Sequence, residues 1–161
     1  MNIERYTEKS RQILQNAQTL ALGSGHQKLM PQHLLSALLE DSDNLTQKLI
    51  MNCNGNVELT KAENQRSLNK ISVVEGSGAG NVTASQETAR TLLLAEKLSD
   101  QNQDQFVTLE RLLQAILEDG KNEAASSLKV GGLSVNILRE AINKIRAGKK
   151  ADSASAESTY E

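Results

Sequence analysis

The sequence predicts an all-α chain of eight helices in two pseudo-symmetric four-helix repeats. Three observations predict it. The 161 residues include one Pro, two Tyr, one Phe and no Trp, set among many Leu, Ala, Gln, Glu and Lys, a helix-forming mixture. Apolar residues recur at three- and four-residue steps. The chain also repeats itself. Leu34-Leu35-Ser36-Ala37-Leu38-Leu39-Glu40-Asp41 overlies Leu112-Leu113-Gln114-Ala115-Ile116-Leu117-Glu118-Asp119, six of eight positions identical at an offset of 78. The same offset pairs Thr7 with Ser85, Leu14 with Leu92, Ala17 with Ala95, Leu20 with Leu98 and Val57 with Val135. Asn69-Lys70-Ile71 matches Asn143-Lys144-Ile145 at offset 74, so the second repeat is four residues shorter near its end.

In chain order, Thr7 caps a first helix that runs through Leu22, with Ile13, Leu14, Ala17, Leu20 and Ala21 on one face. Gly23-Ser24-Gly25 stops it. Pro31 opens a second helix, where its missing N–H costs nothing, and Leu34, Leu35, Leu38 and Leu39 line it. A third runs from about Asp43 to Asn52 and a fourth from Val57 to Ile71. The second repeat gives helices near Gln86–Asn102, Leu109–Asp119, Asn122–Val130 and Val135–Ala147. Thr108 is an N-cap; its counterpart Met30 is a poor one, so that start leans on Pro31. The domain therefore covers 1–147, with repeat one about 7–71, a linker at 72–84 and repeat two about 85–147. Ser72 to Asn81 is too rich in Gly to hold a helix and reads as flexible. Residues 148–161, mostly Lys, Ala, Ser and Glu, have little to bury and read as a flexible linker.

Eighteen basic residues against 20 acidic ones leave a net charge of −2, which gives no pull toward nucleic acid or an anionic membrane. Scarce aromatics argue against a base-stacking platform. One cysteine, Cys53, excludes an internal disulfide and fits a reducing compartment, hence a cytoplasmic location. No apolar run reaches the roughly 20 residues a bilayer requires, and the first residues lack an apolar signal core.

Chemistry is mostly absent from the motifs. Gly76-Ser77-Gly78-Ala79-Gly80 fails both the dinucleotide and the phosphate-loop spacing. His26 and His33 stand seven apart without further ligands, and read as surface or helix-edge histidines. Cys53 has no base to activate it and reads as a partly buried structural thiol. The acids Glu40-Asp41 and Glu118-Asp119 recur at equivalent places and read as serving the helix that follows, not as a general acid/base pair. No catalytic residue, cofactor or metal site is expected within the chain.

The repeats differ informatively. Gln15-Asn16 in the first become Leu93-Leu94 in the second. Three leucines in a row, Leu92 to Leu94, sweep about 200° of a helix, wider than one buried stripe. At least one looks away from the repeat's own core. It either seals the interface between repeats or lines an apolar groove at the seam, open to a partner segment. Thr7, Ser85, Asp104 and Glu110 would form a polar rim if the loops before the helices cluster there; each alone reads as a cap or a solvated loop residue.

The duplicated unit resembles the N-terminal domain of the Clp/Hsp100 ATPases. Its markers are Thr7-Glu8-Lys9-Ser10, Ala17-Gln18-Thr19-Leu20-Ala21, Pro31 to Leu39 and the second copy at Thr108 to Leu117. Val74-Glu75-Gly76 and Ser85-Gln86-Glu87 look more like the ClpB disaggregase branch than the protease-partner branches. The resemblance implies a non-catalytic substrate-recognition domain that binds exposed apolar segments of aggregated or unfolded proteins and helps deliver them to a hexamer pore. It implies a cytoplasmic machine working with the Hsp70 system, using ATP and Mg in domains beyond this segment. It assigns substrate binding to Thr7, Ser85, Leu94, Leu98, Asp104 and Glu110. Arg111 and Met30 depart from the family pattern. The alternative implied is an adaptor-docking N-domain of a Clp protease ATPase.

Overall fold

The computed structural model describes residues 2–74 and 82–160. Eight α-helices follow the sequence closely: α1 Glu8–Gly23, α2 Pro31–Leu39, α3 Leu45–Asn52, α4 Val57–Asn69, α5 Gln86–Gln101, α6 Leu109–Asp119, α7 Glu123–Val130 and α8 Val135–Arg146. Side-chain oxygens fix most of their starts. Thr7, Asn56, Ser85, Thr108 and Asn122 each accept from the backbone N–H three residues on, which satisfies a donor that the first helical turn leaves unpaired. Met30 has no such oxygen. Instead the His33 ring reaches back, its Nδ1 accepting the Met30 N–H at 2.9 Å, so α2 does not depend on Pro31 alone. Asp41 serves the following helix as expected: its Oδ2 accepts the Leu45 N–H at 3.1 Å.

Helices α2 and α6 are central. Every α2 residue but Ser36 is buried, and so is every α6 residue from Leu109 to Leu117. A helix covered on all sides belongs at the middle of a bundle. Around this pair, α1 packs on α2 and α5 on α6, while α4 lies against α7 and α3 against α8. The last two contacts cross between repeats.

The lead-in segments cross as well. Lys28–Leu29 (β1) pairs in parallel with Thr83–Ala84 (β2), and Tyr6 forms a parallel bridge with Val107. At offset 78, Tyr6 is the counterpart of Ala84 and Leu29 that of Val107, so the two pairings are related by the pseudo-two-fold axis. Helix ends obey the same symmetry. His26 N–H bonds the Ala21 carbonyl at 2.9 Å, and Asp104 N–H bonds Ser99 at 2.8 Å. The residue before each has positive φ, Gly25 at 73° and Gln103 at 58°. Glycine adopts that conformation freely; Gln103 does so at a cost.

Two expectations are corrected. The inter-repeat linker is shorter than 72–84, because Thr83 and Ala84 are strand residues and the Val74 N–H is tied to the Gly25 carbonyl at 2.7 Å. The glycines at 76, 78 and 80 lie outside the described residues. The segment after α8 is not a free linker. Ala147 and Gly148 both take positive φ and reverse the chain. Residues 149–160 then run back over the starts of α1 and α6, burying Ala151, Ala156 and Glu157 and ending in a short 3₁₀ turn, Ala156–Thr159. Composition concealed this because the segment is held through backbone amides rather than bulky apolar side chains. Among the described residues, no helix is long and apolar enough to cross a membrane.

Candidate functional site

The six residues assigned by resemblance fall into two places. Thr7, Asp104 and Glu110 gather at the starts of α1 and α6, under the closing segment. Ser85, Leu94 and Leu98 belong to α5 and its cap.

The first group is a buried polar cluster rather than an open rim. Thr7 and Glu110 are wholly buried, and Asp104 is 4% exposed. Asp104 Oδ1 accepts from Arg146 Nη1 at 2.6 Å and from the Ala151 N–H at 3.1 Å; Oδ2 accepts from Arg111 Nε at 3.0 Å. Arg146 Nε also donates to Glu110 Oε2 at 2.8 Å, and its Nη2 to Thr108 Oγ1 at 3.1 Å. Burial alone would raise the Asp104 carboxyl, but the Arg146 guanidinium, the Ala151 amide and Arg111 outweigh it and hold Asp104 below the usual carboxylate range. Two carboxylates face two guanidinium groups, so the cluster is nearly neutral, as buried charge must be. Thr7 donates its hydroxyl proton to Glu157 Oε2 at 2.6 Å while its oxygen caps α1. Glu157 also accepts the Leu109 N–H at 3.0 Å. Burial pushes the Glu157 carboxyl up, and the Thr7 and Leu109 donors only partly offset this.

Ser85 is likewise enclosed: it caps Thr88, whose own hydroxyl donates to the Leu29 carbonyl at 2.6 Å. The polar rim expected from the loops is therefore absent from the surface of this structure. These caps point inward because the lead-ins pair with each other across the pseudo-axis.

The leucines divide as the sequence anticipated. Leu92 is core, Leu94 is partly buried against the core, and Leu93 is 65% exposed. Leu98, 5% exposed, floors a small cleft between α5, α6 and α8. Its remaining walls are polar: Gln101, Asn102, Arg111, Gln114, Arg139 and Asn143. This cleft lies within the second repeat rather than at the seam between repeats where an apolar furrow was expected, and Leu93 is exposed on the same helix.

The two histidines are not surface residues. His33 is fully buried and His26 is 7% exposed. His26 Nδ1 and His33 Nε2 are 2.8 Å apart. Since His33 Nδ1 accepts the Met30 N–H, its proton sits on Nε2 and is donated to His26 Nδ1. Both rings are therefore neutral. Burial lowers both, and the neighbouring ring helps push His33 down to about 4. At offset 78 His26 corresponds to Asp104 and His33 to Arg111, so the histidine pair in one repeat occupies the place of the ion pair in the other. The offset applied to polar as well as apolar residues was the signal that would have found both pairs. Arg146 had no such signal. Cys53 is buried as expected, and burial raises its thiol.

This architecture is a duplicated helical module whose buried polar groups tie its helices and closing segment together. The model of the Clp repeat (R) N-terminal domain matches residues 5–130, and the chain belongs to that family. It is 44% identical to the chaperone protein ClpB of Rhodopseudomonas palustris over all 161 residues and 40% identical to that of Brucella suis. In both cases the chain spans 18% of the relative's length. The Hsp104 N-terminal domain from Candida albicans superposes with a TM-score of 0.83 at 24% identity, covering 94% of this chain and 98% of that one. The N-terminal domain of ClpV1 from E. coli gives 0.73 at 17% identity, covering 94% and 91%. At such identities these structures establish the shared fold.

Proposed function

We propose that this domain is the client-recognition module of an ATP-driven disaggregase, gripping apolar segments of unfolded or aggregated proteins and helping to pass them to a hexamer pore. Family membership and the match of this whole chain to part of chaperones named ClpB support the reading. The observation that carries the grip is Leu93, a large apolar side chain 65% exposed at a position where the first repeat has Gln15. Leu94 beside it and Leu98, which floors a cleft elsewhere on the same helix, supply further apolar contact, while the polar cleft walls can hydrogen-bond a client backbone. Thr7, Ser85, Asp104 and Glu110 support this surface by fixing α1, α5 and α6; Thr7, Asp104 and Glu110 reach a client only if the segment above them moves. ATP and Mg, the hexamer contacts and the link to the Hsp70 system belong to domains beyond this segment, and the setting is cytoplasmic.

Burial of one or two leucines against a client is worth about 25 cal/mol per Å² of apolar area, much of it offset by ordering the client. The grip is accordingly weak and releasable. The test is binding of a permanently unfolded model protein against a folded adaptor of a Clp protease. Leu93→Gln is expected to weaken the unfolded client at least threefold with an unchanged melting curve. Binding confined to the folded adaptor would replace this reading with the adaptor-docking one.

A further inference from the structure

The closing segment makes its contacts in a regular series. The Ala151 carbonyl accepts from the Gln105 and Phe106 amides, both at 2.9 Å. The Ala154 carbonyl accepts from the Glu8 amide at 2.8 Å. The Glu157 carboxylate accepts from Thr7 and Leu109. Anchors thus fall at every third residue, 151, 154 and 157. Glu8 and Leu109 are the first residues of α1 and α6, so two of these donors are amides with no partner inside their own helix. The surface beneath is a row of N–H donors at two convergent helix N-termini, which favours carbonyls and negative charge.

Further observations mark it as a ligand site. A carboxylate of the chain itself already sits there. Glu110 Oε1, on a wholly buried residue, is faced by the Tyr160 hydroxyl of the segment itself, so the end of the segment covers a carboxylate oxygen that the helices leave unpaired. Tyr160 lies against Arg146, the guanidinium carbon 5.7 Å from the ring centroid. The segment's own side chains are small: Ala151 is fully buried and Ala156 is 3% exposed, with no large aliphatic residue to lock them down.

We propose that residues 151–160 are a detachable strap that occupies, in cis, a site for extended small-residue peptides bearing a glutamate. The site is framed by the N-termini of α1 and α6. The donors read backbone carbonyls and one carboxylate. Ala151 and Ala156 are enclosed, so small side chains suit these two positions. Release of the strap opens Thr7, Asp104 and Glu110 to solvent and to a competing segment of the same chemistry. The proposal requires no apolar client and stands apart from the Leu93 surface.

The test uses the 161-residue chain and a fluorescent synthetic peptide copying residues 149–160. Ala156→Asp forces a charge into the buried position and is expected to free the strap. Amide exchange at Glu8 and Leu109 should then quicken at least tenfold while α2 stays protected, and the variant should bind the peptide at least fivefold more tightly than the parent chain. Glu157→Gln in the chain is the milder release, with smaller changes in the same direction. The same substitution in the peptide should weaken its binding at least threefold. Unchanged exchange at Glu8 and Leu109 in both variants, or equal peptide binding by released and parent chains, overturns the proposal. So does a concentration-dependent dimer, which would show the segment docking on a second copy instead.

Discussion

Acidification should unlock the histidine pair before it touches the carboxylates. The His26–His33 bond exists only while both rings are neutral, because one backbone N–H dictates which nitrogen of His33 is bare. A second proton on His33 would face the Met30 N–H, and one on His26 Nδ1 would face the His33 Nε2 proton. Burial first, and the neighbouring His26 ring second, hold His33 near 4, against an ordinary value of 6.5. The unfolded chain takes up this proton first, so the pair's contribution is complete above about pH 6.5 and is lost as pH falls toward 4. For His33 alone, linkage between pH 7.5 and 5 gives at most about 2 kcal/mol, and solvent screening trims this to about 1–2 kcal/mol. Asp104, Glu118 and Asp119 are held below their ordinary values of 3.8 to 4.5, so their contributions vanish only at lower pH. Glu157, raised by burial, gains stability as pH falls and opposes the step. Urea denaturation at pH 7.5 and pH 5 reads the difference. The double variant His26→Leu, His33→Leu should lose the pH step whatever its absolute stability. A flat profile in the parent chain, or an undiminished step in the double variant, refutes the tautomer argument.

Two further expectations concern the second repeat. Arg146→Met leaves Asp104 and Glu110 short of their shared cation and should cost about 3–5 kcal/mol at neutral pH; in chemical denaturation that deficit should shrink toward pH 4 as the stranded carboxylates take up protons. Gln103→Gly relieves a left-handed residue where the first repeat has Gly25, and should raise stability by about 0.5–1 kcal/mol, read as a higher melting temperature, whereas Gly25→Ala should lower it.

The helices were legible because each carries its own instructions: a cap such as Thr7, Ser85 or Thr108, then apolar residues at helical spacing. That one of Leu93 and Leu94 would look outward was legible from the over-wide stripe; which one was not, and the resemblance pointed to Leu94 where the structure exposes Leu93. The histidine pair was overlooked because its partners meet only after the chain passes through β1, and the repeat offset that aligns them with Asp104 and Arg111 was not applied to them. The closing segment was missed for a different reason. A search for apolar bulk passes over alanines and a glutamate that bind through donors on other elements. Asp104 and Glu110 failed as rim residues because the guanidinium that encloses them comes from Arg146, at the far end of α8.

The crossed lead-ins carry a consequence for how such a molecule can be divided. Tyr6 needs Val107, Leu29 needs Ala84, and α4 and α8 each lean on a helix of the opposite half. Half a chain would leave those backbone edges and helix faces bare. A lone half becomes whole only by trading the same embraces with a twin, so the duplication is best understood as a homodimer written into one polypeptide.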